Sequence, residues 1–277
     1  MNVRVFISVD IEGITGVCRV KQADDLGSPA WRDACGLMRG DLDATLEGCV
    51  AAGVDEIVVN DGHYDGDNLS AEGLPPQVTL MSGAQFGLSM MEGIGDGFDA
   101  AMFVGYHAMA GTQAAVLAHT WNGEVSSVTV VGPGGGRREV GELGLNAAVA
   151  GAFGVPVVFA SGDDKLAAEA RAMLPGIETA AVKTGVSRTA ASLCDPTTAR
   201  QAIRAGVDRA LRADRRPSSL DWRGHSLEVE FGRAEYCDKA AVCPGTRRLD
   251  GRRLLIAAED YLDVYRAFVA CATLAES

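Results

Sequence analysis

Residues 3–13 read VRVFISVDIEG, and this stretch indicates both the fold class and the first candidate site. Its first seven residues, VRVFISV, are apolar enough to predict a buried strand. Two carboxylates, Asp10 and Glu12, follow at once, with a glycine after them. Acidic side chains are poor strand formers and are costly to bury. Their place at the end of an apolar strand therefore indicates a site that binds cations.

The composition is typical of a globular protein. The chain has 277 residues, of which 47% are hydrophobic and 22% are charged, so it is long enough to bury a sizeable core. The formal net charge of −12 argues against nucleic acid or an anionic membrane as a partner. The N-terminal MNVRVFISVD is not typical of a signal peptide, and no apolar stretch is long enough to predict a membrane span.

The seven cysteines are scattered and include no CxxC pair. This spacing predicts neither a disulfide framework nor a structural zinc knuckle. A reduced compartment fits such cysteine usage best, and we therefore expect a cytoplasmic protein.

Apolar runs alternate with segments of helical period along the whole chain. The pattern predicts strands at 3–9, 55–61, 77–81, 99–107, 125–132, 156–161, 177–183, 226–231 and 254–258. It predicts helices at 31–53, 86–94, 142–154, 163–174, 195–213 and 259–275. A glycine-rich GPGGGR at 132–137 lacks the phosphate-binding patterns and predicts a hairpin turn. The alternation predicts an α/β fold with a mostly parallel or mixed sheet flanked by helices, and with its site at the carboxyl ends of the strands.

A polar segment at 214–224, DRRPSSLDWRG, is the best candidate for a linker because it contains Pro217 and few apolar residues. We expect a metal-site α/β core over residues 1–214 and a C-terminal α/β portion over residues 215–277. The sequence leaves open whether this second portion is integrated with the core.

Side chains of the metal-ligand type follow three of the predicted strands. Asp10 and Glu12 follow the apolar part of the first, Asp61 and His63 follow EIVVN at 56–60 of the second, and His107 follows AMFVGY at 101–106 of the fourth. Ligands bind beyond the carboxyl ends of the strands in open α/β sheets, so these groups are expected on one rim. Imidazole and carboxylate together suit zinc, manganese or cobalt, and a bridging carboxylate could hold two ions about 3.5–4 Å apart.

Two further residues have both a functional and a structural interpretation. His119, in VLAHTW, could transfer protons or contact substrate, or it could pack beside Trp121. Glu142, in VGELGLNAA, could bind a metal, or it could stabilise the dipole at the start of a helix. From the residues alone both alternatives stay open.

Five phrases in order, SVDIEG, NDGH, GYHA, AHT and GELGLNA, resemble the M55 family of metallopeptidases, the D-aminopeptidases once named dipeptide transport proteins. The resemblance covers nearly the whole chain and is densest from 6 to 190. It implies a zinc hydrolase with two ions per chain, acting on short peptides that have a free N-terminal amine and a D-residue first. It also implies a homo-oligomer, which in this family is a decamer.

The resemblance implies a metal site built of five residues. Asp10 matches the bridging carboxylate, with Glu12 beside it as a ligand. His63 serves one metal, while His107 and Glu142 serve the other.

The same resemblance implies a catalytic role near the metals for His119. Asn60 and Asp61 are candidates for orienting His63, although turn chemistry after a strand would also account for them.

Three other functions remain possible at this point. The same metals could serve hydrolysis of L-peptides or of other amides. The chain could be a non-catalytic peptide-binding protein linked to transport. The metals could also be structural, which predicts a closed coordination shell and no turnover.

Overall fold

Twelve strands are present in the computed structural model, which describes residues 2–276. In chain order they are β1 (Arg4–Val9), β2 (Glu56–Asp61), β3 (Val78–Met81), β4 (Ala100–Val104), β5 (Val125–Val131), β6 (Arg137–Glu139), β7 (Val157–Asp163), β8 (Glu178–Ser187), β9 (Ala190–Leu193), β10 (Ser226–Phe231), β11 (Thr246–Arg248) and β12 (Arg253–Ala257).

Seven α-helices connect or cover these strands. They are α1 (Val20–Ala23), α2 (Pro29–Ala51), α3 (Glu142–Ala152), α4 (Asp164–Met173), α5 (Pro196–Arg212), α6 (Ala234–Ala240) and α7 (Tyr261–Glu276). Across the described part of the chain, none of the helices is long and apolar enough to cross a membrane.

The larger sheet has seven strands in the order β3-β2-β1-β4-β7-β8-β9. Every neighbouring pair is parallel except β8 and β9, which are antiparallel. This arrangement confirms the predicted α/β class with a mostly parallel sheet. Because β1 lies between β2 and β4, the carboxyl ends of these three strands are adjacent.

A second sheet is entirely antiparallel, in the order β11-β12-β10-β5-β6. The predicted hairpin joins β5 to β6, and the Gly132 amide donates to the Gly136 carbonyl at 2.9 Å within its turn. In this sheet β10, from beyond residue 214, pairs with β5, from before it. The expected division at residue 214 stays a prediction, and this pairing is one of the contacts that join the two expected portions.

Two apolar clusters cover opposite faces of the larger sheet. Side chains alternate along β1, so Val5 and Ile7 join the cluster that contains α2 and α5, while Phe6 joins the other. The second cluster packs α3, α7 and the second sheet together. The metal-ligand candidates lie at the ends of strands that are buried on both sides.

The helix predicted at 86–94 is reduced to a single 3-10 turn, Ser89–Met91. Gly87 and Gly93 flank the turn with φ angles of +84° and +96°, a conformation that no α-helix can contain. The short elements α1, β9, α6 and β11 were not predicted, because segments of three to seven residues carry too little periodicity.

Candidate metal centre

Four backbone elements bring the candidate residues together. Asp10 and Glu12 follow β1, His63 follows β2 and His107 follows β4. Glu142 is the first residue of α3. All five side chains are buried, with no more than 5% of any residue exposed. The ends of these strands and the start of α3 therefore form one cluster of three carboxylates and two imidazoles.

The local backbone structure explains why a glycine, Gly13, ends the DIEG sequence. Beyond β1 the chain continues beside β4, with the Asp10 amide 2.8 Å from the Val104 carbonyl and the Gly13 amide 2.7 Å from the Gly105 carbonyl. A Cβ on Gly13 would lie 1.9 Å from the Tyr106 carbonyl oxygen. The close approach of two backbones thus requires glycine here, and it fixes the direction of the acidic pair.

His63 lies between two carboxylates and a backbone carbonyl. Its Nδ1 is 3.2 Å from Asp10 Oδ1 and 3.4 Å from Glu12 Oε2. Its Nε2 lies 3.2 Å from the carbonyl of Ala23, to which a proton on that nitrogen can be donated. This leaves Nδ1 as the free nitrogen, and it faces the carboxylates.

His107 has the same arrangement with its ring nitrogens exchanged. Its Nδ1 lies 3.1 Å from the carbonyl of Ala108, while Nε2 is 3.3 Å from Glu142 Oε1 and 3.6 Å from Asp10 Oδ2. Metal-bound histidines characteristically donate their second ring proton to such a carbonyl. The two oxygens of Asp10 therefore face two different histidines, as a carboxylate shared by two ions would.

The chemistry of this cluster fits a metal. Glu12 Oε2 and His107 Nε2 are both buried and make no hydrogen bond to the described residues. Unpaired buried polar atoms and three neighbouring carboxylates are costly unless a cation compensates them. Two sets of residues each bring their ligand atoms within 4.8 Å of one another. One set is Asp10, Glu12 and His107, and the other is His107, His119 and Glu142.

The pKa values of the cluster are shifted because its charged groups are buried close together. Burial and the neighbouring Glu12 carboxylate raise the pKa of Asp10 to about 7. Burial opposes protonation of His107, but Glu142 and Asp10 outweigh it and raise the pKa of that imidazole to about 10. The carboxylates thus attract positive charge strongly.

His119 lies against the cluster but is more open to solvent. Its ring stacks on His107 at a centroid distance of 3.9 Å, and 23% of its side chain is exposed. Nδ1 lies 2.8 Å from the Leu117 carbonyl, so Nε2 is free and is 3.8 Å from Glu142 Oε1. Burial and His107 lower the pKa of His119, which favours the neutral ring.

The alternative role of His119, packing beside Trp121, is not what the structure shows. The Trp121 ring packs edge-on against Tyr265 and Phe268 instead. Its backbone amide donates to Glu142 Oε1 at 2.7 Å. Trp121 therefore supports Glu142 through its main chain, and His119 remains available to the cavity.

The side chains of Asn60 and Asp61 do not orient the His63 ring. Asn60 donates to the carbonyls of Ser89 and Glu92 at 3.1 and 2.9 Å, and so holds the segment beside the 3-10 turn. The ring is oriented by the Ala23 carbonyl, which sequence reasoning missed because a backbone carbonyl has no residue signature.

Asp61 acts on the loop that follows β2. Its carboxylate accepts hydrogen bonds from the Asn68 side chain and from the amides of Asn68 and Leu69, all within 2.9 Å. Asn68 in turn donates to the His63 carbonyl at 2.7 Å. Asp61 thus supports the His63 backbone through Asn68, a link that the sequence did not predict.

A cavity of about 440 Å³ opens beside the cluster. Its lining combines the candidate site with rim acids and apolar side chains: Asp10, Glu12, His63, His119, Glu142, Asp24, Asp65, Glu276, Arg188, Tyr64, Phe86, Met90, Leu117, Trp121 and Val269, with smaller residues between them. Four of the five described non-glycine residues with positive φ line it, namely Tyr64, Ser89, Leu117 and Trp121. Strained backbone of this kind collects at functional sites.

Comparison with known proteins identifies the relatives of this fold and site. The family model of the M55 peptidases, D-aminopeptidase, matches residues 3–270. A D-aminopeptidase of Bacillus subtilis (strain 168) is 33% identical over 274 residues, covering 98% of this chain and 97% of the relative. The solved structure of DppA from Bacillus subtilis, a zinc-dependent D-aminopeptidase and self-compartmentalizing protease, matches with a TM-score of 0.93 at 33% identity. That match covers 99% of this chain and 98% of the other.

Proposed function

The chain belongs to the M55 peptidase family of D-aminopeptidases, and from this premise we propose that it is a zinc-dependent aminopeptidase acting on short peptides. It removes the N-terminal residue, which is a D-amino acid. Asp10, Glu12, His63, His107 and Glu142 would hold two zinc ions per chain, with Asp10 contributing to both. Manganese or cobalt would suit the same ligands.

The observation that carries this proposal is the placement of the two Asp10 oxygens. Oδ1 faces His63 at 3.2 Å and Oδ2 faces His107 at 3.6 Å, on opposite sides of one carboxylate. Each histidine directs its other nitrogen to a backbone carbonyl. A site for one ion would not need a carboxylate with free ligand atoms on both sides.

Zinc, when bound, supplies Lewis-acid chemistry that polarises the scissile carbonyl and activates water. The chain supplies the proton transfer. His119 holds its Nδ1 proton against the Leu117 carbonyl and so presents an unprotonated Nε2 to the cavity. This nitrogen accepts a proton from the attacking water and delivers it to the peptide nitrogen, so that the C–N bond breaks and the leaving group departs as an amine.

The cavity also supports the proposed preference for a free N-terminus. Three exposed acids, Asp24, Asp65 and Glu276, line its rim. An ammonium group is attracted by such a rim, whereas an acylated N-terminus gains nothing from it. The 440 Å³ volume suits a peptide of a few residues.

Assembly into a homo-oligomer is part of the proposal. The structural relative from Bacillus subtilis is self-compartmentalizing, and this chain matches it over 99% of its own length. The proposed assembly is a homodecamer. If it encloses its active sites, it would admit only small substrates to them.

The test is hydrolysis of two matched dipeptides, D-Ala-D-Ala and L-Ala-L-Ala, by purified protein loaded with zinc and by the same protein treated with a chelator. We expect cleavage of the D-dipeptide alone, abolished by the chelator and restored by zinc. Cleavage of the L-dipeptide would keep the metal site and reject D-specificity. No cleavage of either would favour another amide substrate or a binding protein linked to transport.

A further inference from the structure

We propose that Arg188 binds the α-carboxylate of a dipeptide substrate. This inference rests on the proposed function, and it adds the feature that the substrate must carry at its other end. Arg188 follows β8 directly and lines the cavity beside the metal-ligand cluster.

Charge singles out this residue within the cavity. The other charged lining residues are carboxylates, at the cluster and on the rim, apart from the histidines. Among the described residues that line the cavity, Arg188 is the one lysine or arginine. A dipeptide is a zwitterion, so a cavity for it needs one cationic group to match its carboxylate.

The guanidinium of Arg188 is available for a ligand. In the part of the chain that the structure describes, no carboxylate lies within 4.0 Å of its nitrogens, in contrast to the paired Arg209, Arg212 and Arg223. Its side-chain hydrogen bond is a long one, from Nε to the Ala118 carbonyl at 3.4 Å. The two terminal nitrogens therefore remain free for the parallel hydrogen bonds that a carboxylate accepts from arginine.

The backbone holds Arg188 in a defined place. It lies in the two-residue turn between β8 and β9, where Ser187 pairs with Ala190. Its carbonyl accepts a hydrogen bond from the Leu117 amide at 2.7 Å. The Leu117 carbonyl is the group that orients His119, so Arg188 and His119 are attached to the same residue from opposite sides.

This neighbourhood matches the chemistry of a dipeptide. In a dipeptide, the leaving nitrogen and the α-carboxylate are bonded to the same carbon. A residue that binds that carboxylate must therefore lie near the residue that protonates the nitrogen. Arg188 Nε lies 3.4 Å from the carbonyl of Ala118, the residue before His119. Each additional residue would move the carboxylate away by up to about 3.3–3.6 Å. The position of Arg188 thus suits the carboxylate of a dipeptide.

The experiment compares D-Ala-D-Ala with D-Ala-D-Ala amide, in which a neutral carboxamide replaces the C-terminal carboxylate. The kcat/KM ratio of dipeptide to amide is measured for wild type, Arg188→Gln, Arg188→Lys and the control Arg247→Gln, with zinc content measured for each. Arg247 is exposed on β11 of the second sheet, so its replacement makes the same change of charge away from the cavity.

We expect a wild-type ratio of about ten or more, since a paired guanidinium is a strong hydrogen-bond donor to carboxylate. Arg188→Gln brings the ratio close to one through a loss on the dipeptide, and Arg188→Lys keeps part of it. Arg247→Gln keeps the wild-type ratio. All variants bind as much zinc as wild type.

Two results would overturn the inference while the proposed function stands: a wild-type ratio near one with both substrates cleaved, or an unchanged ratio in Arg188→Gln. Failure of wild type to cleave either substrate would overturn the proposed function and this inference together.

Discussion

Asp10 is the residue on which the cluster depends, because its two oxygens face histidines from different strands. Glu12 lies beside His63, and Glu142 lies beside His107 and, at 3.8 Å, beside His119. Replacing one histidine should therefore affect one ion, whereas replacing Asp10 should affect both. The count of bound zinc ions separates these cases without any reference to turnover.

Zinc content is the first prediction at this scale. We expect about two zinc ions per chain in wild type, about one in His63→Ala, and loss of both in Asp10→Asn, since an amide is a much weaker ligand than a carboxylate. Elemental analysis after extensive dialysis measures the stoichiometry. His225→Ala, a histidine remote from the cluster, should retain two. Two zinc ions in His63→Ala would remove His63 from the ligand set.

His119 gives the second prediction. Its Nε2 is free, its ring is partly open to the cavity and its neutral form is favoured, so we assign it to proton transfer. Turnover of D-Ala-D-Ala by His119→Ala should fall by about 10²–10⁴-fold, the usual contribution of a general acid–base group, while zinc content holds. Unchanged turnover would exclude the role. Loss of zinc would instead make His119 a ligand, in line with its distance of 3.8 Å from Glu142 Oε1.

At the scale of elements, the order of strands in the sheet explains why one rim collects the candidate residues. β1, β2 and β4 are neighbours and parallel, so three chain segments end at one edge. The sequence predicted these strands and their terminal residues, because long apolar runs give a clear signal. It could not predict that the Ala23 carbonyl orients His63, because α1 has four residues and no periodicity.

The cavity wall was also beyond prediction from sequence. Its shape depends on Tyr64, Ser89, Leu117 and Trp121 at positive φ, a conformation that none of these residue types favours. Because such residues usually adopt negative φ, their local preferences predicted a helix across Ser89. Tertiary contacts, such as the hydrogen bonds from Asn60 to the carbonyls of Ser89 and Glu92, determine the segment instead.

Gly13 gives the third prediction, which concerns the junction between β1 and the segment after β4. Because a Cβ would lie 1.9 Å from the Tyr106 carbonyl oxygen, Gly13→Ala should lower the free energy of unfolding by about 1–3 kcal/mol or more. Chemical denaturation measures this loss, and zinc content should fall with it as the acidic pair moves.

The matched control for Gly13→Ala is Gly36→Ala. Gly36 is exposed within α2, and a Cβ at this position would have no atom within 4 Å beyond its neighbours in the chain and the adjacent backbone of its own helix. The same substitution there should raise the free energy of unfolding by about 0.5–1 kcal/mol, because alanine favours helix over glycine. Equal effects at the two positions would contradict the backbone contact proposed for Gly13.

For the whole molecule, the question is whether residues 1–214 form a separate unit. Three hydrogen bonds link the C-terminal helix to the first strand: Tyr265 to Asn146 at 2.7 Å, Asn146 to Tyr106 at 2.8 Å, and Tyr106 with Ser8 at 2.7 Å. All four residues are buried. α7 thus reaches, through side chains, a residue two positions before Asp10.

The fourth prediction is that a chain ending at residue 214 will not fold cooperatively. Such a chain lacks β10, which pairs with β5, and α7, which covers α3 with Tyr261, Tyr265 and Phe268. Loss of this cover exposes the apolar side of α3, which carries Glu142. We expect a broad thermal transition, exposed apolar surface and no tight zinc binding.

Full-length Tyr265→Phe is the control for this truncation, since it removes one hydroxyl and keeps the packing. It leaves the Asn146 oxygen without its donor, so the free energy of unfolding should fall by about 1–3 kcal/mol while the transition stays sharp and zinc binding persists. A sharp transition in the 1–214 fragment, with zinc bound, would instead make the linker at 214–224 a true domain boundary. In that case the shared sheet would be an interface between two folded units, because β5 and β6 would hold their conformation without β10.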